Sequence, residues 1–131
     1  MFVDASAIIA IIAEEVDGGE IAARLARAER VVVSPIVMYE ATTGLARKRA
    51  CSIEDAAGLV EEFVEATGAT IVDVTAAVAR DAARAFGRFG RGRHKADLNI
   101  GDCFSYACAR TFGLPLLFKG DDFVHTDIEA A

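Results

Sequence analysis

Four short apolar segments alternate with longer helical patterns along this chain, and no two of them are joined by a hairpin turn. Strands that are separated by helices pair in parallel, because the chain must cross back to the same end of the sheet. The segments are at 2–4, 31–33, 70–74 and 115–118, and the first is apolar enough for a strand covered on both faces. The predicted fold class is therefore α/β: a three-layer α/β/α sandwich with a mostly parallel sheet.

The remaining elements follow from periodicity and capping residues. Helices are predicted at 7–14, 20–28, 35–48, 52–66, 75–89 and 99–113, with a short edge strand at 125–128. Ser6 is a candidate cap for the first helix, and Ser34-Pro35 combines a cap with a proline at the first helical position. A chain of 131 residues predicts one domain, spanning 1–131.

Composition limits the class of protein. The formal charge of −6 argues against a general nucleic-acid binder, unless several acids belong to one metal site. The three cysteines show no metal-type spacing, and a reducing cytoplasm is expected. The apolar stretch 5–13 is far shorter than the roughly 20 residues of a membrane span. An acid that is already needed at position 4 leaves no room for a signal peptide, so we expect a cytoplasmic protein with no membrane association.

Acidic residues occur where the predicted strands end and helices begin. Asp4 follows the first strand, Asp102 opens a helix, and Asp121 and Asp122 follow the last long strand. Glu40 stands among apolar residues of a helix. Each has an ordinary alternative: Asp4 and Asp102 as helix caps, Glu40 on a solvated stripe, and the Asp pair in a turn. Ligands of open α/β sheets bind beyond the carboxyl ends of strands, which favours one shared site.

Carboxylates that share a cleft repel one another and raise one another's pKa values. A hard divalent cation removes that cost, and Mg²⁺ prefers oxygen ligands and keeps several of its waters. Such an ion activates water and stabilises the charge that develops during phosphodiester hydrolysis. The only histidines are His94 and His125, so no Cys/His set competes as a zinc site. The pattern predicts Mg²⁺-dependent chemistry on a phosphodiester, with Mn²⁺ as a substitute.

At this point the chain resembles a known family, the PIN-domain ribonucleases of the VapC toxin type. The matching segments are Phe-Val-Asp-Ala-Ser-Ala at 2–7, the helix of Glu40, Leu-Asn-Ile-Gly-Asp-Cys-Phe-Ser-Tyr-Ala at 98–107, Leu-Pro-Leu-Leu-Phe-Lys-Gly-Asp-Asp-Phe at 114–123, and Thr-Asp-Ile at 126–128. The resemblance spans the whole chain. It implies an endoribonuclease that acts as the toxin of a toxin–antitoxin pair. It also implies a homodimer and a cognate VapB-like antitoxin that blocks the acidic cleft.

The resemblance also implies roles for particular residues. Asp4, Glu40 and Asp102 are implied as catalytic acids of the metal site, with Asp122 as the fourth acid and Asp121 as its alternative. Ser6 is implied as an accessory contact. An extra acid at position 97 departs from the family pattern and is interpreted as a surface residue.

A group of basic residues, here called the basic stripe, is a candidate RNA-binding surface. Its members are Arg80, Arg84, Arg88, Arg91, Arg93 and Lys95. The first three recur every fourth residue and share one helix face, which suits phosphate contacts. The alternative is a solvated face on which Arg84 pairs weakly with Asp81.

Two other functions are open at this stage. A catalytically inactive PIN domain would only bind a protein partner. A receiver-like module with an acidic pocket would use Lys119 and a phosphoacceptor, for which Asp73 is the sole candidate.

Overall fold

The computed structural model describes all 131 residues. Its strands are β1 (Phe2–Val3), β2 (Val32–Val33), β3 (Thr70–Ile71) and β4 (Leu116–Leu117), and its helices are α1 (Ala5–Ile12), α2 (Gly18–Leu25), α3 (Pro35–Arg49), α4 (Ile53–Thr67), α5 (Ala76–Phe89) and α6 (Ile100–Phe112). The four main strands and all six helices were predicted, although each strand is shorter than expected. The α/β fold class is confirmed.

The sheet is parallel throughout, in the order β3-β2-β1-β4. The chain moves from β1 outward to β2 and β3, then returns past β1 to form β4 on the other side. Right-handed crossovers place helices on opposite faces when the direction of winding reverses, so α1–α4 cover one face and α5–α6 the other. The reversal also opens a crevice between the carboxyl ends of β1 and β4, which is where open α/β sheets bind ligands.

The central strands form the middle of the core. Phe2, Val3, Val32 and Val33 are fully buried, together with both residues of β4. By contrast, β3 lies at the edge of the sheet and both of its residues are exposed, so it does not show the burial of a central strand. The crevice therefore lies at the carboxyl ends of two fully buried strands, β1 and β4.

Local capping explains several helix ends. Ser34 accepts a hydrogen bond from the Val37 N–H at 3.3 Å, and Pro35 takes the first helical position of α3. Gly113 ends α6 in the left-handed conformation, with φ of 62°. Ser6, however, does not cap α1: that helix begins at Ala5, and Asp4 is its cap.

The C-terminal tail differs from its prediction. The expected edge strand at 125–128 is wrong, because Phe123–His125 forms a 3₁₀ turn. The tail pairs with the sheet a few residues later, where Ala130 forms a parallel bridge with Leu116. The Leu116 N–H donates to Glu129 O at 2.8 Å, so the tail covers the β4 edge. In addition, none of the helices combines the length and the hydrophobicity that crossing a membrane demands.

Candidate functional site: an acidic crevice at the end of the sheet

Asp4 lies at the end of β1 with only 3% of its surface exposed. Its Oδ2 accepts hydrogen bonds from the Ser6 N–H at 2.9 Å and from the Ser6 Oγ–H at 2.5 Å. No protein group donates to its Oδ1. The capping alternative for Asp4 is therefore confirmed, but capping occupies only one of the two carboxylate oxygens.

Ser6 joins the two strands that flank the crevice. Its Oγ donates to Asp4 and accepts the Lys119 N–H, from the chain just after β4, at 3.0 Å. The Asp4 N–H donates to Leu117 O at 2.9 Å. These bonds hold the Asp4 carboxylate beside the β4 exit.

Asp102 lies in the first turn of α6, where it forms a reciprocal capping box with Asn99. The Asn99 N–H donates to Asp102 Oδ2 at 2.9 Å, and the Asp102 N–H donates to Asn99 Oδ1 at 3.0 Å. Here too, Oδ1 accepts no protein hydrogen bond. Burial raises the Asp102 pKa to about 6, against the lowering effect of the Asn99 bond, and the charges of Asp4 and Asp122 raise it further.

Glu40 reaches the same crevice from α3. Its carboxylate lies against the backbone of Gly101 in α6, so closely that a Cβ at that position would overlap it. No protein group donates a hydrogen bond to this carboxylate. Burial, followed by the charges of Asp4 and Asp102, raises the Glu40 pKa to about 7. The solvated-stripe alternative for Glu40 is therefore wrong, because half-burial beside two other acids is a different environment.

Asp121 and Asp122 are both exposed in the turn after β4. Of the two, Asp122 is the residue whose charge helps to raise the Asp102 pKa. Asp122 directly precedes Phe123, which is 2% exposed and packs its ring against Phe118 with centroids 5.0 Å apart. The buried Phe123 thus anchors the turn that carries Asp122.

The four acids Asp4, Glu40, Asp102 and Asp122 thus come from four separate segments and share one electrostatic environment. No three acidic, His or Cys side chains are close enough to coordinate one ion together. Mg²⁺ needs only one or two carboxylates and completes its shell with water, so the oxygen-only donor set and the two unbonded Oδ1 atoms suit such an ion.

The basic stripe is divided by its ion pairs. Arg84 pairs with Asp81 at 2.7 Å, as the solvated-face alternative predicted. Arg91 pairs with Asp97 at 3.5 Å, and Asp97 is exposed, as predicted. Arg91 is also the stripe residue whose charge lowers the Asp102 pKa, so this end of the stripe approaches the acids.

The other members of the stripe have different surroundings. Arg88 pairs with Asp127 at 3.2 Å, and the Arg93 guanidinium lies 5.4 Å from the centre of the Phe86 ring. Arg80 and Lys95 are exposed and make no ion pair. The stripe is thus a set of partly neutralised charges, with its positive excess spread over several places.

Two features of the site were not predicted. One is Gly101, which has no side chain and so leaves room for the Glu40 carboxylate. A glycine inside a helix lowers stability, so its presence in the predicted helix could have indicated a close contact at this position. The other is Glu15, which pairs with Lys48 of α3 and with Lys119. The pKa of Glu15 is lowered, first by its hydrogen bond with Lys119. Nothing in the local sequence pattern marks this pairing.

Fold and site together define a parallel α/β domain with an acidic crevice at the topological switch point. Residues 1–129 match the model of the PIN domain family. The chain is 39% identical to a VapC ribonuclease of Rhizobium meliloti, over 97% of this chain and 98% of that protein. It is also 39% identical to ribonuclease VapC42 of Mycobacterium tuberculosis, over 100% of this chain and 98% of that protein. The chain belongs to the VapC ribonuclease family of PIN domains.

A solved structure supports the fold. The crystal structure of Mycobacterium tuberculosis VapC20, described as a toxin that cleaves the sarcin-ricin loop, superposes with a TM-score of 0.79. It shares 23% sequence identity and covers 99% of this chain and 97% of that chain. Membership of the PIN family excludes the receiver-like alternative. Consistent with this, Asp73 is exposed after the edge strand β3, and its charge does not contribute to the raised pKa values of Glu40 and Asp102.

Proposed function

We propose that this chain is a Mg²⁺-dependent endoribonuclease and the toxin of a toxin–antitoxin pair. The observation that carries the proposal is the meeting of Asp4, Glu40 and Asp102 in one half-buried crevice, where the pKa of Glu40 is about 7. Without a cation, the repulsion between these carboxylates lowers the stability of the fold. Groups with strongly shifted pKa values cluster at functional sites. Membership of a ribonuclease family supports RNA as the substrate.

The residues have separable roles in this proposal. Asp4 and Asp102 would hold the ion, since each has a carboxylate oxygen that capping leaves unbonded, and Asp122 would add its negative charge from the β4 side. The ion supplies positive charge that stabilises the developing phosphate charge and acidifies water. Glu40, with a pKa near neutrality, accepts the proton of the attacking water and orients it. Ser6 keeps the Asp4 carboxylate in position. We expect Mn²⁺ to substitute for Mg²⁺.

The proposal includes partners. We expect a homodimer in the cytoplasm and a VapB-like antitoxin that blocks the crevice. The catalytically inactive PIN domain is the remaining alternative, and a cleavage assay separates the two.

The test is cleavage of end-labelled RNA by the purified chain, with Mg²⁺ or with EDTA. Asp4→Asn and Asp102→Asn should each abolish cleavage while circular dichroism shows an intact fold, and their losses should not add, since the site acts as a unit. Asp73→Asn is the matched control, because it removes an exposed carboxylate that also follows a strand. Wild-type cleavage by a folded Asp4 or Asp102 variant contradicts the assignment. Failure of the wild type to cleave in Mg²⁺ or Mn²⁺ favours the inactive PIN domain.

A further inference from the structure

Three arginines converge on a cavity at the contact between α5 and α6. The cavity has a volume of about 290 Å³, and its lining includes Arg84 and Arg88 of α5 and Tyr106, Arg110 and Thr111 of α6. We call it the arginine pocket. Arg110 and Thr111 do not belong to the basic stripe. The cluster of three arginines forms only where α5 and α6 pack together.

The charges of the arginine pocket do not cancel. Arg84 pairs with Asp81 and Arg88 with Asp127, whereas Arg110 has no acid within ion-pair distance. The three arginines exceed the two ion-paired acids by one positive charge, and Arg110 also lines a neighbouring cavity with Asp127 and Glu129. A guanidinium has five N–H donors, and each of these pairs uses only one of them. The pocket therefore retains unused guanidinium donors, and Arg110 in particular makes no ion pair, so one singly charged oxyanion could be bound there.

Part of the pocket is held in place before any ligand arrives. The hydroxyl of Tyr106 donates to Asp127 Oδ1 at 2.6 Å, and the other oxygen of Asp127 accepts from Arg88 at 3.2 Å. The Arg88 guanidinium also lies 4.6 Å from the centre of the Phe89 ring. A side chain that is oriented in advance loses less entropy on binding. These contacts orient Arg88, whereas Arg84 and Arg110 are exposed at the rim of the pocket.

The pocket has a defined place relative to the acids. Asp102, Tyr106 and Arg110 are four residues apart in turn, so they lie on one face of α6. At about 1.5 Å per residue, Arg110 is roughly 12 Å along the helix axis from Asp102. A strand with stacked bases advances about 3.4 Å per nucleotide, and an extended strand advances further. The distance corresponds to roughly two to four nucleotides.

We propose that the arginine pocket binds one backbone phosphate of the RNA strand, about two to four nucleotides from the phosphate that is cut. The proposal rests on the ribonuclease function proposed above and adds a second anchor to it. Phosphate contacts position a strand without reading its bases. The pocket therefore sets the register of the substrate in the acidic crevice and the minimum length of RNA that binds well.

The experiment measures RNA binding in EDTA, where no cleavage occurs, by fluorescence anisotropy. Single backbone phosphates are replaced in turn by neutral methylphosphonates. We expect roughly tenfold weaker binding at one or two positions, and a similar loss for Arg110→Gln on unmodified RNA. Because the same contact is removed twice, the variant should lose nothing further at those positions. The salt slope of the variant should fall by about one.

The controls separate this proposal from the function on which it rests. Arg27→Gln removes an exposed arginine outside the pocket, so its small effect should add to every methylphosphonate effect. Arg110 is exposed in the last turn of α6, so its replacement leaves the core intact. Cleavage by the wild type is measured in parallel, and its absence counts against the ribonuclease function alone. Strict additivity of Arg110→Gln with every methylphosphonate overturns the pocket. Unchanged RNA binding by this variant together with weakened antitoxin binding also overturns it, and assigns the pocket to an acidic protein segment.

Discussion

Replacing Glu40 by Gln should stabilise the metal-free protein at neutral and alkaline pH. The Glu40 carboxylate is half-buried beside Asp4 and Asp102, and no protein group donates to it. Gln has nearly the same volume, so the substitution removes the charge and breaks no hydrogen bond of the carboxylate. It is a cleaner perturbation than a change at Asp102, whose carboxylate also caps α6.

The magnitude follows from the pKa of Glu40, which rises from its ordinary 4.5 to about 7. Each pH unit between these values corresponds to about 1.36 kcal/mol, so the full difference is roughly 3 kcal/mol. Since part of the side chain reaches solvent, screening reduces this to about 1–2 kcal/mol. For a domain of this size, that corresponds to a rise of about 3–8 °C in the melting temperature.

The pH dependence has a definite sign. Between pH 4.5 and about 7, folded Glu40 keeps a proton that the unfolded chain has lost, so stability falls as pH rises through this range and is level above it. Asp102 adds its own fall between pH 3.8 and about 6 in both proteins. The difference between variant and wild type therefore grows from about pH 4.5 and is largest above pH 7.

The assay is urea and thermal unfolding in EDTA from pH 4.5 to 8, repeated with Mg²⁺. We expect Mg²⁺ to stabilise the wild type more than the variant, because the ion binds the assembled acids and not the unfolded chain. Glu61→Gln, which removes an exposed carboxylate of α4, serves as the control and should keep the wild-type pH profile. The reasoning is refuted if Glu40→Gln is less stable than the wild type at pH 8 and retains the same fall between pH 4.5 and 7.

Three further predictions concern the same crevice. Gly101→Ala should displace the Glu40 carboxylate, since the new Cβ would overlap it; calorimetric Mg²⁺ titration should show weaker binding, and unchanged affinity would contradict the contact. Asp102→Asn should melt above the metal-free wild type, because relief of repulsion exceeds the loss of its Asn99 cap bond, worth about 1 kcal/mol. Equal gains from Mg²⁺ in both proteins, with the variant the less stable, would make Asp102 a structural cap alone. Saturating Mg²⁺ should weaken inhibition by the antitoxin in a cleavage assay, because we expect an antitoxin Arg to pair with these carboxylates. A complex whose antitoxin never approaches the crevice would defeat that expectation.

Local patterns in the sequence were sufficient for the architecture. The spacing of apolar residues differs between strands and helices, so both kinds of element can be recognised in a single sequence. Short apolar strands that alternate with helices, without hairpins, then imply a parallel sheet. Ser34-Pro35, Thr75 and Gly113 mark helix ends through interactions within a few residues. The acids were identifiable as candidates on the same basis, since strand ends of a parallel sheet share one edge.

Tertiary structure alone decided where the candidate carboxylates lie and which of their oxygens are bonded. Capping and ligand binding had been treated as alternatives, yet Asp4 and Asp102 cap their helices through Oδ2 and leave Oδ1 unbonded. The Glu40 carboxylate of α3 lies against Gly101 of α6, and these two helices are far apart in the chain. The site is also closed by the Ser6–Lys119 bond, across 113 residues of sequence. Such contacts depend on the reversal of winding between β3 and β4, and no local period encodes that reversal.

Contacts between distant segments also determine the structure of the C-terminal tail and the pairing of the arginines. Residues 125–128 were predicted as a strand, but the chain forms a 3₁₀ turn at Phe123–His125, where the Phe123 ring is buried, and it pairs with the sheet only at Ala130. Arg88 was recognisable as a basic residue at helical spacing. Its partner Asp127, 39 residues away, and its neighbour Arg110 on another helix became visible only when α5 packed on α6. Composition and spacing determine which charges a helix face carries, whereas packing between helices determines which of them are neutralised and which remain to bind a ligand.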